Sequence, residues 1–245
     1  MKGVAAVAAM TGTMAPADFG NACEELKTAN DENRDEVVRT LEAKQKSSGL
    51  TDAESGVLQR AKTTGMTFSS AVSGIPEAAG SLSGCSNATA RDQIPARMVE
   101  GGTGPQKAGL SKPIRMSHDE AHHDAKEAAG VLCEKGYLHW GGGYGGHAEP
   151  KIVNHLTNQV GADHMRGGSL LFNIDWRSSR YGRSGMPCSA CHAMLCHAMG
   201  KCDIQIFLCD KDQKPTQMAS EDCDGEDAYS NLCQRVDGGP RPGRK

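Results

Sequence analysis

Ser169-Leu-Leu-Phe-Asn-Ile-Asp175 is the stretch on which the fold turns. It is nearly continuous apolar and β-favouring, the pattern of a strand covered on both faces. Downstream, Pro187 stands ahead of a helix over 188–199, where its fixed φ suits the helix start and no needed N–H is lost. A second buried strand follows over 202–209, carrying Ile204, Ile206, Phe207 and Leu208. Strand, helix and strand with short connections imply parallel neighbours and a right-handed crossover, hence an α/β layer fold.

Upstream of that unit, His147–Gln159 reads as a helix, with the Gly-rich 141–146 and a short strand over Tyr137–Trp140 before it. Ser117–Gly130 is a helix opened by a capping box of Ser117 and Glu120. Residues 73–113 turn to Gly, Ser, Ala and Pro without periodicity, the composition of a linker. Residues 20–72 read as helical. Glu24–Lys46 is polar with Val37, Val38 and Leu41 as anchors, and a second helix opens at Thr51 with Glu54 completing a capping box. After Cys209 no further strand is predicted, only a polar tail with one helix carrying Tyr229, Leu232, Cys233 and Val236. The expected division is thus a helical region over 1–72, a linker over 73–113 and the main domain over 114–245.

Composition narrows the function. Of the 245 residues, 38% are hydrophobic and 4% aromatic, with 30 Gly, so a compact core is expected in one part of the chain only. Lys and Arg number 27 against 30 Asp and Glu, a net charge of −3. That excludes nucleic-acid binding by overall charge and leaves room for a local basic patch. No apolar run is long enough for a membrane span, so no membrane partner is expected. Met1–Met10 is a weak secretory-signal pattern, with an ordinary N-terminal tail as the plainer reading. There are ten cysteines. Cys188, Cys191, Cys196, Cys202 and Cys209 crowd beside His192 and His197, which reads as a metal neighbourhood more than a framework of bridges. Cys196 and Cys209 are expected as small buried hydrophobes.

Two strings carry chemistry: His147-Ala148-Glu149 and Pro187-Cys188-Ser189-Ala190-Cys191. Together they match the H-x-E … P-C-x-x-C signature of zinc-dependent deaminases. Zinc takes nitrogen and sulfur ligands in a tetrahedron, and a catalytic site leaves one corner for water. His147, Cys188 and Cys191 supply three ligands. Two helix N-termini beside them offset the negative charge of two thiolates. Residues i and i+2 do not share a helix face, so His147 must sit at the helix start for Glu149 to reach the same point. Glu149 is then the proton carrier for a water of lowered pKa.

On these motifs the chain resembles the cytidine-deaminase superfamily, and within it the bacterial toxin-type deaminases of polymorphic toxin systems. The resemblance covers about residues 115 to 210 and rests on His-Ala-Glu-Pro-Lys at 147–151 and Pro-Cys-Ser-Ala-Cys-His at 187–192. It implies a deaminase-type three-layer fold, a mixed sheet flanked by helices, with zinc (Zn2+) as cofactor and an amino-substituted base as substrate. It further implies a secreted effector acting in a target cell, with a cognate immunity protein as partner. Trp176-Arg177-Ser-Ser-Arg180-Tyr181-Gly-Arg183 interleaves three Arg with two aromatics, which suits phosphate contacts and base stacking on DNA or RNA. With Asn173, these Trp, Arg and Tyr residues form the candidate substrate-binding set; a solvated Arg loop with Trp176 capping the core is the plainer alternative.

Rival readings remain open at this point. Cys188-x-x-Cys191-His192 is also a haem-attachment pattern with Met194 or Met199 as axial ligand, although haem leaves His147 and Glu149 without a role. A structural zinc could be closed by Cys196 and Cys202, or by His192 and His197, giving a non-catalytic interaction module. A free cytidine or nucleotide deaminase is the alternative within enzymes. His118, His122 and His123 lie on a predicted helix, where a solvated polar face accounts for them.

Overall fold

The computed structural model describes residues 19–63, 67–74, 80–85 (backbone only), 148–149, 152–153, 165–178 and 182–239. Their elements run α1 (Ala22–Ser47), α2 (Asp52–Lys62), β1 (Phe68–Ser73), β2 (Gly80–Cys85), β3 (Ser169–Ser178) and β4 (Gly182–Ser184). There follow α3 (Ser189–Cys202), β5 (Gln205–Cys209), β6 (Pro215–Gln217) and α4 (Ala228–Asp237).

The expected strand is β3, and it sits in the middle of the sheet, whose order is β2-β1-β3-β5-β6 with β4 paired to β3. α3 carries the chain from β3 to β5, and the two strands are parallel. β1 is antiparallel to β3 and to β2, and β6 is antiparallel to β5. The sheet is therefore mixed. Alternation divides its two faces. Leu170, Phe172 and Ile174, with Ala71, Ile206 and Leu208, pack against Met194, Leu195 and Ala198 of α3 and Leu232 and Val236 of α4. Leu171 and Phe207 point the other way, against Phe19, Cys23 and Leu26 at the start of α1. This is a three-layer α/β fold with an N-terminal helical region, as expected.

Residues 68–85 correct the sequence reading, which ran helix to 72 and linker from 73. They form β1 and β2. β1 is Phe-Ser-Ser-Ala-Val-Ser, small side chains buried on both faces, so it shows neither apolar alternation nor a long apolar run. The strand after Cys209 was also unforeseen. β6 is only three residues long, and the turn before it is built by Asp210, whose Oδ1 accepts from the Asp212 N–H at 2.9 Å and the Lys214 N–H at 2.8 Å. The predicted helix over 117–130 and strand over 137–140 lie outside the described residues.

α1 does not stand apart from the sheet. Its buried stripe is Cys23, Leu26, Asn30, Arg34, Val37 and Leu41, polar in the middle. The sheet beneath is polar at the same place. Asn30 Nδ2 donates to Asn173 O at 2.9 Å and Oδ1 at 3.0 Å, and Ser70 Oγ donates to Asn30 Oδ1 at 2.8 Å. Arg34 Nη2 lies 2.9 Å from Asp175 Oδ2, Nη1 donates to Ala61 O at 2.9 Å, and the guanidinium lies 4.4 Å from the Phe68 ring centre. A disulfide between Cys23 and Cys209, 186 residues apart in sequence, ties α1 to β5. α1 thus packs on the sheet as one layer of the fold.

α2 opens as expected: the Glu54 N–H donates to Thr51 Oγ1 at 3.3 Å and the Thr51 N–H donates to Glu54 Oε2 at 2.9 Å. Thr51→Ala removes one half of this box and is expected to lower stability by about 1 kcal/mol, read as a shifted denaturant midpoint with unchanged slope. Among the described residues no helix is long and apolar enough to cross a membrane.

Candidate active site

β3 ends, turns through β4, and delivers the chain to α3 along Ser184–Pro187. Cys188 is the N-cap of α3, in extended conformation (φ −68°, ψ 165°). Its Sγ accepts from the Cys191 N–H at 3.5 Å. The motif spacing is thereby explained: an N-cap residue and the third helical residue place their side chains at the same helix end, where the N–H groups favour negative charge. Cys191 is fully buried and Cys188 half-buried, and both are thiols.

The approach to this pair is tight. A Cβ on Gly185 would lie 2.8 Å from Cys209 O and 3.3 Å from a Val236 methyl. A backbone carbonyl cannot yield as a side-chain tip would. Gly185→Ala is expected to cost about 1–3 kcal/mol through overpacking, visible as a lower thermal midpoint.

Glu149 comes from the other helix. Ala148, Glu149, Ile152 and Val153 are helical and buried. Ile152 and Val153 pack in the same core as Met194 and Leu195 of α3. Glu149, one turn before them, is 2% exposed, and its carboxyl reaches the Cys191 thiol. The Cys191 thiol is held well above its ordinary range, first by its hydrogen bond with the Cys188 thiol, then by burial, then by the charge and hydrogen bond of Glu149. Two sulfurs and one carboxylate, from segments far apart in the chain, therefore share one spot. His147 lies outside the described residues. Among the described residues no set of three or more His, Cys, Asp or Glu forms a metal-holding group; the described donors are the two sulfurs, with Glu149 beside them.

His192, next along α3, is buried with its ring edge-on to Tyr229 at 5.1 Å. Burial lowers its pKa, while a backbone hydrogen bond and the charge of Asp222 oppose that shift.

Of the candidate substrate-binding residues, the side chains of Asn173, Trp176 and Arg183 are described. Trp176 is half-buried against the core on the α3 face, the plainer of its two expected roles. Asn173 lies on the opposite face. Its Nδ2 donates to Cys23 O at 3.1 Å and to Gln213 Oε1 at 2.8 Å, so it braces α1 and does not face the cysteine pair. Arg183 Nε is 2.9 Å from Asp175 Oδ1, and Nη2 is 3.7 Å from Asp31, so its charge is already matched within the fold. The side chains of Arg177, Arg180 and Tyr181 lie outside the described residues, as do His118, His122 and His123.

The remaining cysteines correct the sequence reading of a metal neighbourhood. Cys196 bonds Cys223, Cys209 bonds Cys23, and Cys202 is disulfide-bonded too. Spacing along the chain gave no sign of this: Cys23 lies 186 residues from Cys209 and Cys223 lies 27 from Cys196, outside the crowded run. Cys196 and Cys202 therefore cannot close a four-thiolate zinc site. No known protein family, curated protein or solved structure matches the chain.

Proposed function

We propose that the protein is a zinc-dependent hydrolytic deaminase of a nucleobase, converting cytosine to uracil in DNA or RNA, and that it works as a toxin-like effector. The observation that carries this reading is the meeting of the Glu149 carboxyl with the Cys191 thiol beside Cys188. Beside a carboxylate the two sulfurs stay protonated, and they become thiolates together with it only where a cation joins all three. The donor set suits zinc: two sulfurs from one helix end, with His147, two residues before Glu149 in sequence, proposed as the third ligand. Bound there, zinc would lower the pKa of a water at its open corner.

The chain's own groups do the rest. Glu149, held by its helix next to the ligands without being one, takes a proton as water adds to C4 of the base. It passes that proton to the ring nitrogen and then assists departure of ammonia as the C4–N bond breaks. Its burial excludes bulk water from the exchange. The N-terminal end of α3 offsets the negative charge of the two sulfurs. The disulfides fit a chain that passes through an oxidising compartment, as a secreted effector does. In that setting Cys188 and Cys191 stand as thiols while Cys196, Cys202 and Cys209 do not.

A free cytidine or nucleotide deaminase is the second reading. It is favoured by Arg183, whose pairing with Asp175 and Asp31 weakens the case for a phosphate-gripping loop. Incubation of zinc-loaded protein with DNA and RNA oligonucleotides and with free cytidine separates the two. C-to-U changes in the sequenced oligonucleotides are expected. Conversion of free cytidine alone selects the second reading, and no conversion of any substrate contradicts both.

A further inference from the structure

We propose that α4 is a clamp on the Cys188–Cys191 pair, with Tyr229 and Asp237 as positioning residues at its two ends. Residues 185–188 belong to no helix or strand, so neither helix regularity nor sheet register fixes them. Cys188 itself has non-helical backbone angles. Met186 is buried in the core, and α4 adds side-chain hydrogen bonds on either side of it.

At one end, the Tyr229 hydroxyl donates to Pro187 O at 2.7 Å, the carbonyl immediately before Cys188. The same ring lies edge-on to His192, the residue immediately after Cys191. One side chain thus braces the motif from both flanks. At the other end, the Asp237 carboxylate accepts from Ser184 Oγ at 2.6 Å and the Gly185 N–H at 2.9 Å. Ser184 Oγ in turn accepts from the Met186 N–H at 3.0 Å. Four consecutive residues, 184 to 187, are therefore each held by Tyr229 or Asp237, directly or through Ser184.

The clamp is itself anchored. Leu232, Cys233 and Val236 are buried in the core that α3 shares. The Cys196–Cys223 disulfide ties α3 to the segment leading into α4, and the Lys211 N–H donates to Val236 O at 2.8 Å. α4 thus braces the backbone that leads into Cys188 against the core, while Cys191 is carried by α3. A metal centre tolerates little ligand displacement, so this bracing governs how firmly a cation is kept. That last step rests on the ligand assignment proposed above; the bracing of the thiols does not.

Tyr229→Phe and Asp237→Asn test both parts, with Thr51→Ala as a control that loses stability far from the pair. In full-length protein treated with EDTA, iodoacetamide labelling of Cys188 is followed by peptide mass spectrometry. In zinc-loaded protein, release to a chromophoric chelator is timed. Tyr229→Phe is expected to melt within about 2–4 °C of wild type, yet to label at Cys188 and to release zinc about tenfold faster, the scale of one lost hydrogen bond to a fixed group. Asp237→Asn is expected to move both rates in the same direction. Unchanged labelling in both variants, or equal acceleration in Thr51→Ala, overturns the clamp. Faster labelling in a protein that binds no zinc even as wild type leaves the clamp standing and removes the ligand assignment.

Discussion

Glu149→Gln is expected to slow deamination by a factor of about 10²–10⁴, the share that a positioned proton carrier contributes, while zinc content stays at the wild-type level. Glutamine has the size of glutamate and keeps a hydrogen-bonding group at Cys191, so the pocket is not emptied. What it cannot do is accept a proton and hand it on. Rates are read as C-to-U conversion in sequenced oligonucleotides, and zinc by elemental analysis of the same samples. Loss of zinc together with activity would make Glu149 a ligand and contradict the proposed role as carrier.

Arg34→Ala is expected to destabilise the fold by about 3–5 kcal/mol, the cost of breaking a buried ion pair from one side. Asp175 is fully buried and Arg34 is 5% exposed. Truncating Arg34 removes two contacts to the carboxylate, the bond to Ala61 O and the stacking on Phe68 at once. Arg183 still neutralises Asp175, which keeps the loss within that range. Because the pair is sheltered from solvent, raising the salt concentration should not remove the difference, unlike a surface bridge. A loss below about 1 kcal/mol would mean that the pair behaves as an exposed one. Denaturant unfolding of wild type, Arg34→Ala, Asp175→Asn and the double variant isolates the coupling.

The same network shows why sequence spoke clearly in one half of the chain and poorly in the other. β3, α3 and β5 were legible because their apolar runs are long and their order is strand, helix, strand. β1 was not, because a strand of serine and alanine buried on both sides has no hydrophobic rhythm. α1 was legible as a helix but not as a layer. Its contact stripe carries Asn30 and Arg34 in the middle, which reads as solvated until Asn173 and Asp175 are seen to answer it. At the candidate site the Cys188–Cys191 spacing and Glu149 came from motif and cap geometry, both local. Within the substrate set, the period of a strand already separates two members: Asn173 and Trp176 are three apart on β3, so they face opposite sides. The disulfides were illegible because spacing does not distinguish a thiolate ligand from half of a bridge to a cysteine outside the cluster.

X-ray absorption at the zinc edge, with metal content measured on the same purified protein, tests the account at its centre. It predicts one zinc per chain, with two sulfur neighbours at about 2.3 Å and the remaining neighbours nitrogen or oxygen at about 2.0–2.2 Å. Protein that takes up no zinc, or a shell of four sulfurs, would contradict it.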